Sequence, residues 1–139
     1  MNSRRLVLDR SGRALLRAQA LFRDRFIGVV RSGHPLCQGE ITPARYAAGR
    51  HIAVSRRGLE RQIATIVGGA TALALARASD LIACVPERHT GALRREMHSF
   101  PLPVPIPEIT LSLLWHPRMD ADPGHRWLRG CVRDACAAT

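Results

Sequence analysis

His34, His116 and Cys84 carry the side chains from which a nucleophile or a general base is most often built. Nucleophilic catalysis needs the base within hydrogen-bond reach of the nucleophile and a third group to orient it. No His, Cys and Asp arrangement follows from spacing in this chain, and no G-x-S-x-G elbow occurs. His34 and His116 each precede a proline, a context that favours extended or turn backbone, so both are expected to mark turns. Cys37, Cys84, Cys131 and Cys136 show neither C-x-x-C spacing nor histidines at zinc-ligand intervals. Reduced, mostly buried thiols are expected, with no metal, no cofactor and no catalytic residues.

Two other places suit the binding of a small anion. Gly68-Gly69 precedes the apolar run Ala70 to Ala78, read as a short buried helix. Free amides and the dipole at a helix N-terminus favour a carboxylate, and Thr71 would add a hydroxyl there. The same two glycines also fit a plain turn. Ser55, Arg56 and Arg57 close the apolar run His51 to Ser55, read as a strand. Ligands collect at the carboxyl edges of strands in α/β sheets, although adjacent arginines in a loop are often only solvated.

The elements that must position these residues read as follows. Residues 1–17 are arginine-rich with a weak apolar rhythm broken by Ser11-Gly12, and are expected to be poorly structured. Phe26 to Val30, His51 to Ser55, Gln62 to Val67, Leu81 to Val85 and Ile109 to Trp115 read as strands. Glu87 to His98 alternates charged and apolar positions as a surface helix would. The proline ladder from Pro101 to Pro107, with Pro103 and Pro105 inside it, excludes a helix or a central strand and predicts a stiff extended crossover. At the end, Asp122 stands where an N-cap belongs and Pro123 takes the first helical position. Trp127, Leu128, Cys131, Val132 and Ala135 follow at helical spacing. That helix is expected to pack through Trp127 and Leu128. Strands interleaved with helices predict an α/β layer fold with parallel pairing.

Length and charge limit the function. A chain of 139 residues, 46% hydrophobic, holds one ordinary domain or two thin lobes. All 21 basic residues are arginine against 11 acids, giving a net charge of +10 that draws the chain toward polyanions. The arginines are scattered rather than gathered on one face, and the aromatic content of 4% is too sparse for base-stacking platforms. Ala47-Ala48-Gly49 with Val54 to Arg57 mimics a helix-turn-helix only faintly. The first twenty residues hold no apolar stretch long enough for a signal peptide or a membrane span, so a cytoplasmic protein with no membrane partner is expected.

A family resemblance lies in the order of several short motifs. They are Leu21 to Phe26, Arg31-Ser32-Gly33-His34-Pro35-Leu36, Ser55-Arg56-Arg57-Gly58 and Ser79 to Ala83 with Val85 to Arg88. Trp115-His116-Pro117-Arg118 and Asp120 to Leu128 complete the set. Together they resemble the C-terminal effector-binding domain of LysR-type transcriptional regulators over roughly residues 18–137. The resemblance implies a type II periplasmic-binding-protein-like α/β fold, here incomplete, with a small-molecule site between two lobes. Residues 18–32 and 108–139 would form lobe I, residues 36–100 lobe II, and 33–35 and 101–107 the crossovers. His34, Pro35, Pro103 and Pro105 would then serve as hinges, and the Ser55-Arg56-Arg57 loop would face the cleft.

The function implied is sensing of a small, anionic effector, passed on to a homo-oligomer or to subunits of a parent regulator. Two alternatives are a basic nucleic-acid-binding protein and a non-functional gene remnant. The family's winged helix-turn-helix and the opening strands of its first lobe have no counterpart in the sequence, so no sequence-specific DNA binding by this chain alone is expected. Relatives also carry a helix after the S-R-R-G strand, where only Gly58 to Arg61 stand before the next apolar run. A parallel crossover needs about a dozen residues, so the runs His51 to Ser55 and Gln62 to Val67 are expected to pair antiparallel, or one of them to leave the sheet.

Overall fold

The structure, a computed structural model, describes residues 4–8, 11–12, 14–52, 61–88 and 90–138. The chain divides into two compact units, residues 1–23 with 109–139, and residues 24–108.

In the first unit β1 (Arg4–Leu8) and β2 (Ala14–Asp24) form an antiparallel hairpin, and β2 lies between β1 and β7 (Ile109–Trp115). Ser11-Gly12 lies in the hairpin's turn, with Gly12 at φ 80° where glycine alone is unstrained. The expectation of a poorly structured N-terminal segment is thus corrected over the described residues. Strand formation depends on cross-strand neighbours, here the distant β7, and a weak local rhythm does not reveal them. β7 alternates half-buried Ile109, Leu111 and Leu113 with exposed Thr110, Ser112 and Leu114, ending at buried Trp115.

Helix α3 (Pro123–Ala137) begins as its sequence predicts, with the Asp122 carboxylate accepting from the His125 amide at 2.7 Å. Its buried face differs from the expected one, because Trp127 is 71% and Leu128 50% exposed. The buried side chain is Arg129, whose guanidinium lies 4.5 Å from the Trp115 ring centroid. It donates to the carbonyls of Met119 at 2.9 Å and Asp120 at 3.0 Å, and contacts His125 Nδ1 at 2.6 Å. Helical spacing tells which residues share a face. It does not tell which face turns inward, and here the end of the turn over Pro117–Met119 offers the Met119 and Asp120 carbonyls, which Arg129 satisfies.

In the second unit the sheet order is β4-β5-β3-β6, comprising β3 (Phe26–Arg31), β4 (Arg50–His51), β5 (Leu81–Pro86) and β6 (Met97–Pro101). β3 is antiparallel to both β5 and β6, and β4 is parallel to β5. The expectation of parallel pairing therefore holds for one edge of this sheet, and β3, assigned by the resemblance to the first lobe, pairs inside the second unit. Alternation along β3 and β5 sorts the core into two layers. Ile27, Val29, Ala83 and Val85 face Ala72, Leu73 and Ala76 of α2 (Arg61–Arg77), and Val30 and Ile82 face Leu36 and Phe100. Tyr46, on α1 (Pro43–Ala47), packs against the second layer.

Gly28 is where β3 and β6 come closest. It pairs with Phe100, and a Cβ there would lie 2.3 Å from the Phe100 ring. Gly28→Ala is expected to lower stability by about 1–3 kcal/mol, read as a lower urea midpoint, because a buried ring must leave its place. An unchanged midpoint would mean that the ring moves freely.

Two expected elements are replaced. Gln62 to Val67 belongs to α2 and is not a strand. Short apolar runs do not distinguish strand from helix by periodicity, and the deciding signal is the stripe of buried Gly69, Ala72, Leu73 and Ala76 further on. Glu87 to His98 holds a turn, a 3₁₀ segment at Ala92–Arg94 and the start of β6 instead of a surface helix. Buried Thr90 donates to the Pro86 carbonyl, and Arg94 binds the Glu87 carbonyl at 2.8 Å. The residues that read as a helix face instead fold back on the end of β5.

Candidate effector site

β4, α2 and β5 form a parallel crossover unit. The chain returns along α2, which sets the N-terminal end of the helix toward the carboxyl edge of β5. One of the two expected runs has indeed left the sheet, as the crossover itself. The helix that relatives carry at this place is therefore present as α2. Ser55, Arg56 and Arg57 lie outside the described residues.

Gly68, Gly69 and Thr71 are placed differently from expectation. All three stand inside α2 with Arg61 to Val67 preceding them, so the amides of the glycines belong to the helix ladder and are not free at its start. Gly69 is buried, a Cβ on it would meet Thr90 Cγ2 at an ordinary 3.7 Å, and Thr71 is exposed on another side of the helix. The site described by the turn-and-helix reading is therefore not formed by these residues.

What the structure does assemble at the carboxyl edge of β5 is a polar cluster absent from the expected site. Asp24 is 6% exposed, and its Oδ1 accepts from the amides of Arg25 at 2.8 Å and Arg88 at 3.0 Å. Its Oδ2 also accepts from Arg88, at 3.1 Å. Arg25 grips Glu87 through two hydrogen bonds of 2.5 and 3.0 Å. Arg94 donates to Thr90 Oγ1 at 3.1 Å and to Ser99 Oγ at 2.7 Å. The Arg25 hydrogen bond holds the Glu87 carboxyl below the usual carboxylate range. The pair's contribution to stability is therefore present above the ordinary glutamate pKa of about 4.3, and is lost as pH falls through the lower folded value. Sequence spacing hid this cluster, since Asp24 and Arg88 are joined across the whole unit.

The prolyl turns have local roles. His34, 7% exposed, accepts from the Leu36 amide at Nδ1 (3.0 Å), and its Nε2 lies 3.1 Å from the Asp80 carbonyl. His116 Nδ1 likewise accepts from the Arg118 amide at 3.1 Å. Each histidine thus caps a 3₁₀ turn with proline in its first position. His34 and Pro35 lie within the unit 24–108, and Pro103 and Pro105 lie near its end. Burial pushes the Cys84 thiol up, away from the thiolate that nucleophilic chemistry requires. Among the described residues no group of His, Cys, Asp and Glu is arranged to hold a metal.

The chain leaves the first unit after Arg23 and returns to it at Ile109, and each unit is a sheet with helices. This is the architecture of a periplasmic-binding-protein-like domain. The family model of the LysR substrate binding domain matches residues 6–137, and the chain belongs to that family. It is 32% identical over 135 residues to the HTH-type transcriptional regulator SyrM of Rhizobium meliloti (strain 1021), covering 84% of this chain and 41% of that protein. It is 29% identical over 128 residues to the HTH-type transcriptional activator NagR of Ralstonia sp, covering 78% and 42%. The chain thus spans about two fifths of the length of these curated relatives.

Among solved structures, one described as a transcriptional regulator from Vibrio parahaemolyticus superposes with a TM-score of 0.68 at 26% identity, over 88% of this chain and 66% of that one. The regulatory domain of MexT, a transcriptional activator in Pseudomonas aeruginosa, superposes with a TM-score of 0.63 over 86% and 64%. At 22% identity it speaks for the fold alone.

Proposed function

We propose that this chain is the small-molecule effector-sensing part of a LysR-type regulator. The observation that carries the reading is the match to the LysR substrate binding domain over residues 6–137, supported by the parallel β4-α2-β5 crossover, a unit of the kind that binds ligands at the carboxyl edges of its strands. The adjacent arginines Arg56 and Arg57 supply two planar donors suited to an anion, so the effector is a small carboxylate or a similar anion. Binding there is read out through other subunits, either further copies or a parent regulator. His34 with Pro35, and Pro103 with Pro105, act as the hinge segments. The domain is not an enzyme, works in the cytoplasm and does not read an operator by itself.

The basic charge has another use in the described residues. Arg25 and Arg31 are paired with Glu87 and Asp80, and Arg45, Arg77, Arg94 and Arg129 donate to backbone carbonyls. These six guanidinium groups tie loops to elements, a structural use of the positive charge that needs no polyanion.

The test is calorimetric titration with acetate, succinate, citrate and 4-hydroxybenzoate. At least one is expected to bind with a Kd below about 1 mM, and Arg56→Ala with Arg57→Ala should weaken it by at least about tenfold. Binding unaffected by that double substitution would remove this site from the account.

A further inference from the structure

The start of β3 and the proline ladder enclose an open cavity of about 220 Å³, lined by Arg25, Phe26, Ile27, Pro101, Leu102, Val104, Pro105 and Ile106. Every lining residue belongs to the unit 24–108, and none belongs to the 53–71 region. Its origin lies in the sequence. β6 pairs with β3 as far as Ile27 opposite Pro101, and the prolines at 103 and 105 then stop the strand from continuing beside Phe26. The wall that peels away is apolar and stiff. Val104 is 41% and Ile106 47% exposed, although both are residues that gain by leaving water.

Arg25 is the one charged residue in this lining, and its side chain is 60% exposed. Its present partner is the carboxylate of Glu87. A carboxylate on an apolar body has the chemistry both parts of the cavity accept. Its hydrocarbon covers Phe26, Leu102, Val104 and Ile106, and its oxygens take the planar donors of Arg25 in place of Glu87. We infer that the cavity between β3 and the proline ladder is a second small-molecule site, which takes a compact alicyclic or aromatic monocarboxylate by exchange with Glu87 on Arg25. At about 220 Å³ it is smaller than ordinary drug-sized pockets, which limits the occupant to about one ring. The site does not depend on residues 53–60 holding an effector.

The exchange makes two variants move in opposite directions, which plain apolar adsorption would not do. The probe is cyclohexanecarboxylate, with cyclohexylmethanol as its neutral counterpart, followed by amide chemical shifts in the full chain. Shifts are expected at residues 25–27 and 101–106. Arg25→Gln should weaken the acid by about tenfold, Glu87→Gln should tighten it several-fold, and the alcohol should bind weakly and equally to all three proteins. Both substitutions fall on an exposed pair, so the fold survives them. The inference is overturned if the acid shifts no residue of the cavity, if Glu87→Gln leaves its affinity unchanged or weaker, or if the alcohol binds as well as the acid.

Discussion

Replacing Asp24 with alanine is expected to destabilise the unit 24–108 by roughly 2–4 kcal/mol, a large part of the stability of a small domain. The buried carboxylate accepts from the amides of Arg25 and Arg88, and alanine leaves both donors without it. Asp24→Asn keeps one acceptor oxygen and should lose about half as much. The measurement is the urea midpoint of each variant, together with hydrogen exchange at the Arg88 amide. Exchange at that amide should rise the most in the alanine variant. Exchange at the parent rate would mean that the Asp24 bonds do not hold the end of β5.

The second large effect is expected in α3, where Arg129→Ala should cost about 2–3 kcal/mol and Trp127→Ala less than about 0.5 kcal/mol. Arg129 is 9% exposed, and its loss strips the Met119 and Asp120 carbonyls of a donor and the Trp115 ring of its cation. Trp127, at 71% exposure, has little burial to lose. Thermal melts followed by near-ultraviolet circular dichroism rank the two. A Trp127→Ala protein less stable than Arg129→Ala would show that the helix turns its other face inward.

Trp127 and Arg129 also show where sequence reasoning reaches its limit. The N-cap at Asp122 and the proline at 123 depend on neighbours in the chain, and both were legible. The inward face depends on what lies across from the helix, in this case carbonyls of the Pro117–Met119 turn, and no local pattern announces them. Strands β3, β5 and β7 were legible for the same reason as the cap, being bounded by turns and apolar throughout or in alternation. Gln62 to Val67 reads as a strand because its β-branched residues suit one locally, whereas the helix they join is decided by the buried stripe through Leu73.

The same division holds at the site. Ser55, Arg56 and Arg57 follow from the chemistry of a strand end and lie outside the described residues, while the start of that run, Arg50–His51, has a parallel neighbour in β5. Paired glycines at Gly68 and Gly69 suit a helix start, yet the helix runs through them. Asp24, Thr90 and Arg94 carry no signal in the sequence, since isolated polar residues far apart along the chain have no spacing to read.

The most direct test of the sensing role is hydrogen–deuterium exchange of the whole chain with and without a saturating anion that binds in calorimetry. Slowed exchange is expected in residues 53–67, which include the N-terminal part of α2, and no slowing there in the Arg56→Ala, Arg57→Ala protein. Binding that slows exchange only elsewhere in the chain, with 53–67 unchanged, would contradict that role.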